Sequence, residues 1–396
     1  MPVDARAVLS HLVPLLPPLT ADLAQQAADP AAARTLRAEH AAELEARRTA
    51  DPYTVWLGWR CQQLAAAWLL TGLFLRALED RGLLPPRLRA IDARRATLRR
   101  LCPWLDDRAV LRVTVAEAAA TPAFASVFDE AHNPIWTLWP SAAGATALLE
   151  GLADPAGLGG LDLSGDTRWL GDVYEQLDEG VRARYALLQT PDFVEALLLD
   201  LALEPAITGA ARAQEVTVID PTCGSGHLLV GCFWRLFRAL QHENPGRPPL
   251  TLALQALDCV HGVDLNPYAA AIAHFRLVLA VVDAGGVQRA EDLPEGLDPK
   301  VGAGDGLLPT DGTVSHQQGL PLIMAGQVQT KPAEPGWMPP SAAAARAMAK
   351  GRTYRVVVGN PPYITVKDPV VNAKYRETYP DSAAGLYQLV APFVER

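Results

Sequence analysis

Five cysteines in 396 residues, none spaced as Cys-x-x-Cys, are too few and too scattered for a disulfide scaffold or a structural zinc. Long apolar runs are scarce as well. The longest uncharged one, Leu64 to Leu75, covers twelve residues, well short of the roughly 20 that span a bilayer. The first residues, MPVDARAVLS, show no basic stretch leading into an apolar one, so no secretory signal is read. Positive charge is not in excess: the net charge of −9 argues against a protein that coats nucleic acid non-specifically. Together these absences predict a cytoplasmic, reducing setting without a membrane role. What is present is a globular composition, 49% hydrophobic and 20% charged, long enough for two or three domains.

The chain reads as α/β, with a mostly helical N-terminal domain over residues 1–150. Asp22 to Arg48 is rich in helix formers. Trp56 to Glu79 is apolar on nearly every turn, as a buried core helix is. After Trp136, Trp139 and Pro140 the sequence turns loop-like. Residues 151–166, with five glycines in sixteen positions, read as a linker. From 167 to 396 the pattern changes. Trp169 to Leu187 predicts a helix. Thr190 predicts an N-cap followed by Pro191 at the first helical position, with Val194, Leu197, Leu198 and Leu201 forming one apolar face. Four short strand-like runs follow: VTVID (216–220), CVHGVDL (259–265), the run entering GAGDG (302–306), and YRVVVGN (354–360). Helical stretches separate the first three, the signature of a parallel sheet. Residues 309–350 read as an insertion.

Chemistry concentrates at the ends of these strands. DPTCGSGH (220–227) places glycines at a strand-to-helix turn, where a ligand can approach bare backbone. A dinucleotide fold would show a third glycine and an acid about 20 residues on. Here that glycine is missing and the next strand-end acid, Asp264, comes 38 residues after Gly226. Asp264 in GVDLNP is placed to accept hydrogen bonds from a ribose diol, or else to cap a helix. Asp305 in Gly-Asp-Gly suits an adenine amine, though Asp-Gly is also an ordinary turn. Asn360-Pro361-Pro362-Tyr363 follows the fourth strand. An adenine amine is a poor nucleophile because its lone pair is delocalised into the ring. Acceptors on its two N–H bonds, the Asn360 side-chain oxygen and the Pro361 carbonyl, would favour a tetrahedral nitrogen with that pair free. Pro361 and Pro362 stiffen the stretch, and Tyr363 offers a face for a base flipped out of duplex DNA. Lys367, Lys374 and Arg376 read equally as phosphate contacts or a solvated face. His261 and His274 are too isolated to form a metal set.

At these residues the sequence resembles the amino-group, S-adenosylmethionine-dependent DNA methyltransferases in the γ order of motifs. It is similar in particular to PglX-type enzymes of phage growth limitation and type 2 BREX defence. The segments that carry this are 59–80, 166–177, 186–200, 220–231, 262–277 and the stretch after NPPY. The resemblance implies an incomplete Rossmann-like methyltransferase sheet and S-adenosylmethionine as cofactor. Its cofactor residues would be Thr190, Pro191, Asp220, Cys223, Gly224, Gly226, Asp264 and Asp305. The catalytic residues would be Asn360, Pro361, Pro362 and Tyr363, and no metal is implied. The implied activity is N6-adenine methylation of double-stranded DNA, marking host DNA against phage. Proteins of that family are longer, and four of seven family strands are identified. The chain therefore reads as an N-terminal piece, whose partners would be the missing C-terminal portion or other defence proteins. The alternatives are a cofactor-binding but inactive fragment and a protein-glutamine N5-methyltransferase.

Overall fold

The computed structural model describes residues 3–45, 49, 51–177, 190–307, 353–366 and 369–396. The expected insertion over 309–350, the continuation of a helix over 178–187, and Lys367 lie outside the described residues. The chain divides into two compact units, one of residues 1–41, 51–177 and 288–297, the other of 42–50, 178–287 and 298–396.

Helices α1 (Ala5–Leu12), α2 (Leu16–Gln26), α3 (Pro30–Glu45), α4 (Tyr53–Asp80) and α5 (Ile91–Leu101) open the chain. They are followed by α6 (Asp107–Ala119), α7 (Ala125–Phe128), α8 (Ala142–Ala153) and α9 (Arg168–Leu177). The single helix expected over Asp22–Arg48 is two. Pro30 lacks the N–H that an unbroken helix needs, and Asp29 starts α3 by accepting from the Ala31 N–H at 2.9 Å. The stretch after Pro140 is helical rather than loop-like, because Ser141 caps α8 by accepting from the Gly144 N–H at 3.0 Å. Residues 151–166 are packed into this unit instead of linking domains. Leu158 and Leu163 are fully buried. The buried Arg76 of α4 donates to the carbonyls of Leu152 at 2.7 Å and of Leu158 and Leu161 at 3.2 Å. Among the described residues, three stretches are long and apolar enough to cross a membrane, Ala5–Gln26, Tyr53–Asp80 and Pro267–Gly285, more than the twelve-residue run suggests. The last two are covered by protein along most of their length.

The second unit holds α10 (Asp192–Thr208), β1 (Val218–Asp220), α11 (His227–Glu243), α12 (Pro249–Asp258) and β2 (Val260–Asp264). It continues through α13 (Pro267–Gly285), β3 (Lys300–Ala303), β4 (Val356–Val357), α14 (Pro369–Thr378) and α15 (Val390–Glu395). The strands fall inside the four expected runs. They form a parallel sheet in the order β3-β2-β1-β4. The chain steps outward from β1 to β3, then returns to add β4 on the other side of β1. The switch point of this order, where open α/β sheets bind ligands, therefore lies between the carboxyl ends of β1 and β4. The buried face of α10 is not the predicted one. Glu195, Leu199 and Leu203 point inward, whereas Leu197 and Leu201 are 54% and 69% exposed. Because this helix carries apolar residues around most of its circumference, periodicity does not select the inner face.

Candidate active site

Asp220 ends β1 fully inside the protein. Its Oδ1 accepts from the Thr222 N–H at 2.9 Å, which turns the chain out of the sheet. The Cys223 N–H then donates to the Val263 carbonyl at 2.9 Å, hooking the loop over β2. Gly224 and Gly226 lie at φ +52° and +83°, conformations that cost a residue with a Cβ. A Cβ on Gly226 would stand 2.8 Å from Ala273 Cβ and 2.9 Å from its Cα on α13. At Gly224 a Cβ would meet nothing within 4 Å, so its bare backbone faces open space. The buried Arg276 of α13 holds the loop from behind, donating to the Ser225 carbonyl at 2.8 Å. The Cys223 thiol stays protonated, since burial and the neighbouring Asp264 and Asp220 charges push it well above its ordinary range.

Asp264 meets this loop from the end of β2. Its Oδ2 accepts from the Gly224 N–H at 2.8 Å and its Oδ1 from the Asn266 N–H at 2.8 Å. The helix-capping role belongs instead to Asn266, whose side chain accepts from the Tyr268 N–H at 3.0 Å. The Gly304 N–H donates to the Asp264 carbonyl at 2.8 Å, which brings Asp305 alongside. A Cβ on Gly306 would lie 2.4 Å from the Pro221 carbonyl oxygen, so the β3 loop and the β1 loop touch through bare backbone.

Beside β1, the Val358 N–H donates to the Ile219 carbonyl at 3.0 Å and carries β4 to the same end of the sheet. A Cβ on Gly359 would stand 3.0 Å from Asp220 Oδ1. Asn360 follows immediately, and its Nδ2 donates to Thr190 Oγ1 at 3.3 Å, leaving Oδ1 as an acceptor. Thr190 is therefore not the N-cap of α10. Pro191 takes that place without a side-chain hydrogen bond, and the Thr190 hydroxyl faces the Asn360 amide. Pro361 and Pro362 are half-buried and Tyr363 is 61% exposed. Across α10 and α11, His227 Nε2 lies 3.3 Å from Glu195 Oε2 and 3.6 Å from Asp192 Oδ1, linking the segment after Thr190 to the glycine loop.

Thr190, Asp220, Gly224, Asp264, Asp305 and Asn360 thus come together at one end of the sheet, with Thr190 bonded to Asn360 and Gly224 to Asp264. Sequence reasoning misses Arg276, the Glu195–His227 pair, and Tyr375, whose hydroxyl donates to Asp305 Oδ2 at 2.7 Å. Their partners lie 51, 32 and 70 positions away, so no local pattern announces them. Arg376 is occupied within the protein. It donates from Nε to Asn372 Oδ1 at 2.8 Å and to the Gly385 carbonyl, and its guanidinium lies over the Tyr387 ring.

Burial, reinforced by the Asp264 charge, pushes the Asp220 carboxyl up to about 7, and burial pushes Asp264 up to about 6. Between their free values and these, the folded chain keeps protons that the unfolded chain has released. Stability therefore falls as pH rises from about 4 to 7. For Asp220 this amounts to at most about 4 kcal/mol. The thermal midpoint of the ligand-free protein is expected to drop between pH 5 and 8, and Asp220→Asn is expected to flatten that drop. A slope unchanged by the substitution would refute the assignment.

Residues 258–396 match the family described as Eco57I restriction-modification methylase. Over its whole length the chain is 38% identical to the adenine-specific methyltransferase PglX of Streptomyces coelicolor, an alignment covering 34% of that protein. The chain thus spans about a third of the length of this relative. Its fold is similar to that of the type IIL restriction-modification enzyme MmeI, solved in complex with DNA. The TM-score is 0.52 at 16% identity, covering 99% of this chain and 48% of MmeI.

Proposed function

This chain is PglX-like along its whole length and carries an Eco57I restriction-modification methylase domain, and from that premise we propose that it methylates the N6 amine of adenine in double-stranded DNA. The observation that carries this reading is the convergence of Asn360 with the Asp220 and Asp264 loops at the switch point of the sheet. The β3-β2-β1-β4 order is that of the first four strands of a doubly wound, Rossmann-like sheet.

The methyl donor in this reading is S-adenosylmethionine, and the residues fit it. Asp220, Asp264 and Asp305 gather carboxyls at one end of the sheet, and burial raises Asp220 and Asp264, so a cationic ligand beside them would favour their ionised forms. The open backbone at Gly224 admits close approach. Asp264 keeps lone pairs for a ribose diol and Asp305 for an adenine amine, while Thr190, Pro191, Cys223 and Gly226 shape the remaining wall. When bound, the cofactor supplies an electrophilic methyl group on a sulfonium. Asn360 Oδ1 and the Pro361 carbonyl accept from the two N–H bonds of the target amine and bring its lone pair out of conjugation. Pro362 stiffens that carbonyl's position, and Tyr363 stacks on the flipped base. In the cell the reaction would mark host DNA within a cytoplasmic phage-defence system, alongside further polypeptide of the same enzyme or partner proteins.

Protein carrying these residues, given labelled S-adenosylmethionine and duplex DNA, is expected to yield N6-methyladenine on digestion to nucleosides. Label appearing in protein glutamine instead, or cofactor binding without transfer, would overturn the assignment.

A further inference from the structure

Asp305 sits in a loop whose neighbours are fixed on both sides, by the Gly304 N–H on Asp264 and by Gly306 against Pro221. Its own carboxylate accepts from two donors among the described residues. The Leu307 N–H reaches Oδ1 at 2.8 Å, a contact that any Asp-Gly turn could make. The Tyr375 hydroxyl reaches Oδ2 at 2.7 Å, and no turn requires it. The carboxylate torsion of aspartate is intrinsically broad, so this second donor sets the plane in which the remaining lone pairs point.

Tyr375 is itself immobilised. It is buried in a cluster with Leu307, Tyr379, Ala383 and Tyr387, and the Tyr379 hydroxyl donates to the Leu307 carbonyl. The same cluster takes in Ile364 and Val366, directly after the NPPY stretch, and the Leu389 N–H closes it by donating to the Ile364 carbonyl at 3.0 Å. Burial and the Asp305 charge hold the Tyr375 hydroxyl well above the ordinary tyrosine range, so it remains a donor throughout the working pH range.

We propose that Tyr375 is a positioning residue that makes the cofactor pocket selective for a 6-amino purine, by orienting the Asp305 carboxylate toward the amine. This rests on the cofactor reading above. An aspartate aimed at that position accepts from an amine and opposes a 6-oxo group. Without the hydroxyl Oδ2 loses this donor while Oδ1 keeps the Leu307 N–H, so the carboxylate plane is held less tightly and the preference relaxes.

The test compares binding of S-adenosylhomocysteine with that of S-inosylhomocysteine, which differs at the purine 6-position, by calorimetry on the full chain. One well-placed hydrogen bond to a charged group corresponds to about tenfold or more in affinity. The wild-type protein is therefore expected to prefer the amino ligand by about that factor. Tyr375→Phe keeps the ring in the cluster. It is expected to cut the preference to about threefold or less by weakening only the amino ligand, with the oxo ligand held within about twofold. Asp305→Asn is expected to remove the preference as well. A preference retained in Tyr375→Phe, or an equal weakening of both ligands, would overturn the proposal, the latter pointing to a packing role alone. Wild-type protein that binds neither ligand would instead sink the cofactor reading itself.

Discussion

Replacing Asn360 by alanine is expected to lower methyl transfer to adenine by about 10²–10³-fold, the scale seen when one preorganised polar partner of a changing charge is removed. The lost interaction is the acceptor on one N–H of the target amine. It strengthens as the nitrogen becomes tetrahedral, so the loss falls on the rate at saturating cofactor. Cofactor affinity is expected to stay within about threefold, because the side chain of Asn360 bonds to Thr190 and neither Asp264 nor Asp305 depends on it. Asn360→Asp retains an acceptor at that position and is expected to lose less. Initial rates on duplex DNA, set beside calorimetric cofactor binding, separate the two quantities. An alanine variant within tenfold of wild type, or one that loses cofactor binding in parallel, would remove Asn360 from its assigned place.

The second large effect is expected at Gly226. An alanine there must hold φ +83° and press its Cβ to within 3 Å of the α13 backbone at Ala273. A helix backbone cannot swing aside as a side-chain end can. Strain and overpacking together are expected to cost about 2–4 kcal/mol and to displace the loop that lies against Asp264, with cofactor binding falling by at least about tenfold. Gly224→Ala provides the contrast. It also sits at positive φ, but its Cβ projects into open space. The expected stability cost is only about 1–2 kcal/mol, with a disproportionate loss of cofactor affinity, because the new methyl stands where a ligand must approach. Thermal midpoints and cofactor titrations of both variants decide the matter, and a Gly226→Ala protein indistinguishable from wild type would refute this account of the loop.

Much of the site is legible in the amino-acid sequence. The four strands stand out because apolar and β-branched residues cluster in short runs closed by polar punctuation, and each candidate acid or amide stands at or just past the end of such a run. Local capping is less legible. Thr190 has the look of an N-cap because it precedes a proline, yet its hydroxyl is taken by Asn360, 170 positions away. Asp264 is as fit for a cap as for a ligand by sequence, and only the placement of Asn266 on the Tyr268 N–H separates the two roles. Pro30 hides inside a helix-forming stretch, although its missing N–H divides the helix.

By itself, the order of residues determined the parallel arrangement of strands and the glycine loop, and it placed the Asn-Pro-Pro-Tyr stretch directly after the fourth strand. Each of these follows from local pattern: turn conformation, short apolar runs separated by helical stretches, the fixed φ of proline. Tertiary structure alone decided which face of α10 turns inward, that Leu158 and Leu163 of the 151–166 stretch are buried, that Arg276 braces the loop, and that Tyr375 holds Asp305 in place. Those outcomes depend on which distant surfaces bury one another. That is a contest among packing, hydrogen bonding and desolvation over the whole chain, and it leaves no periodic trace in any short window of sequence.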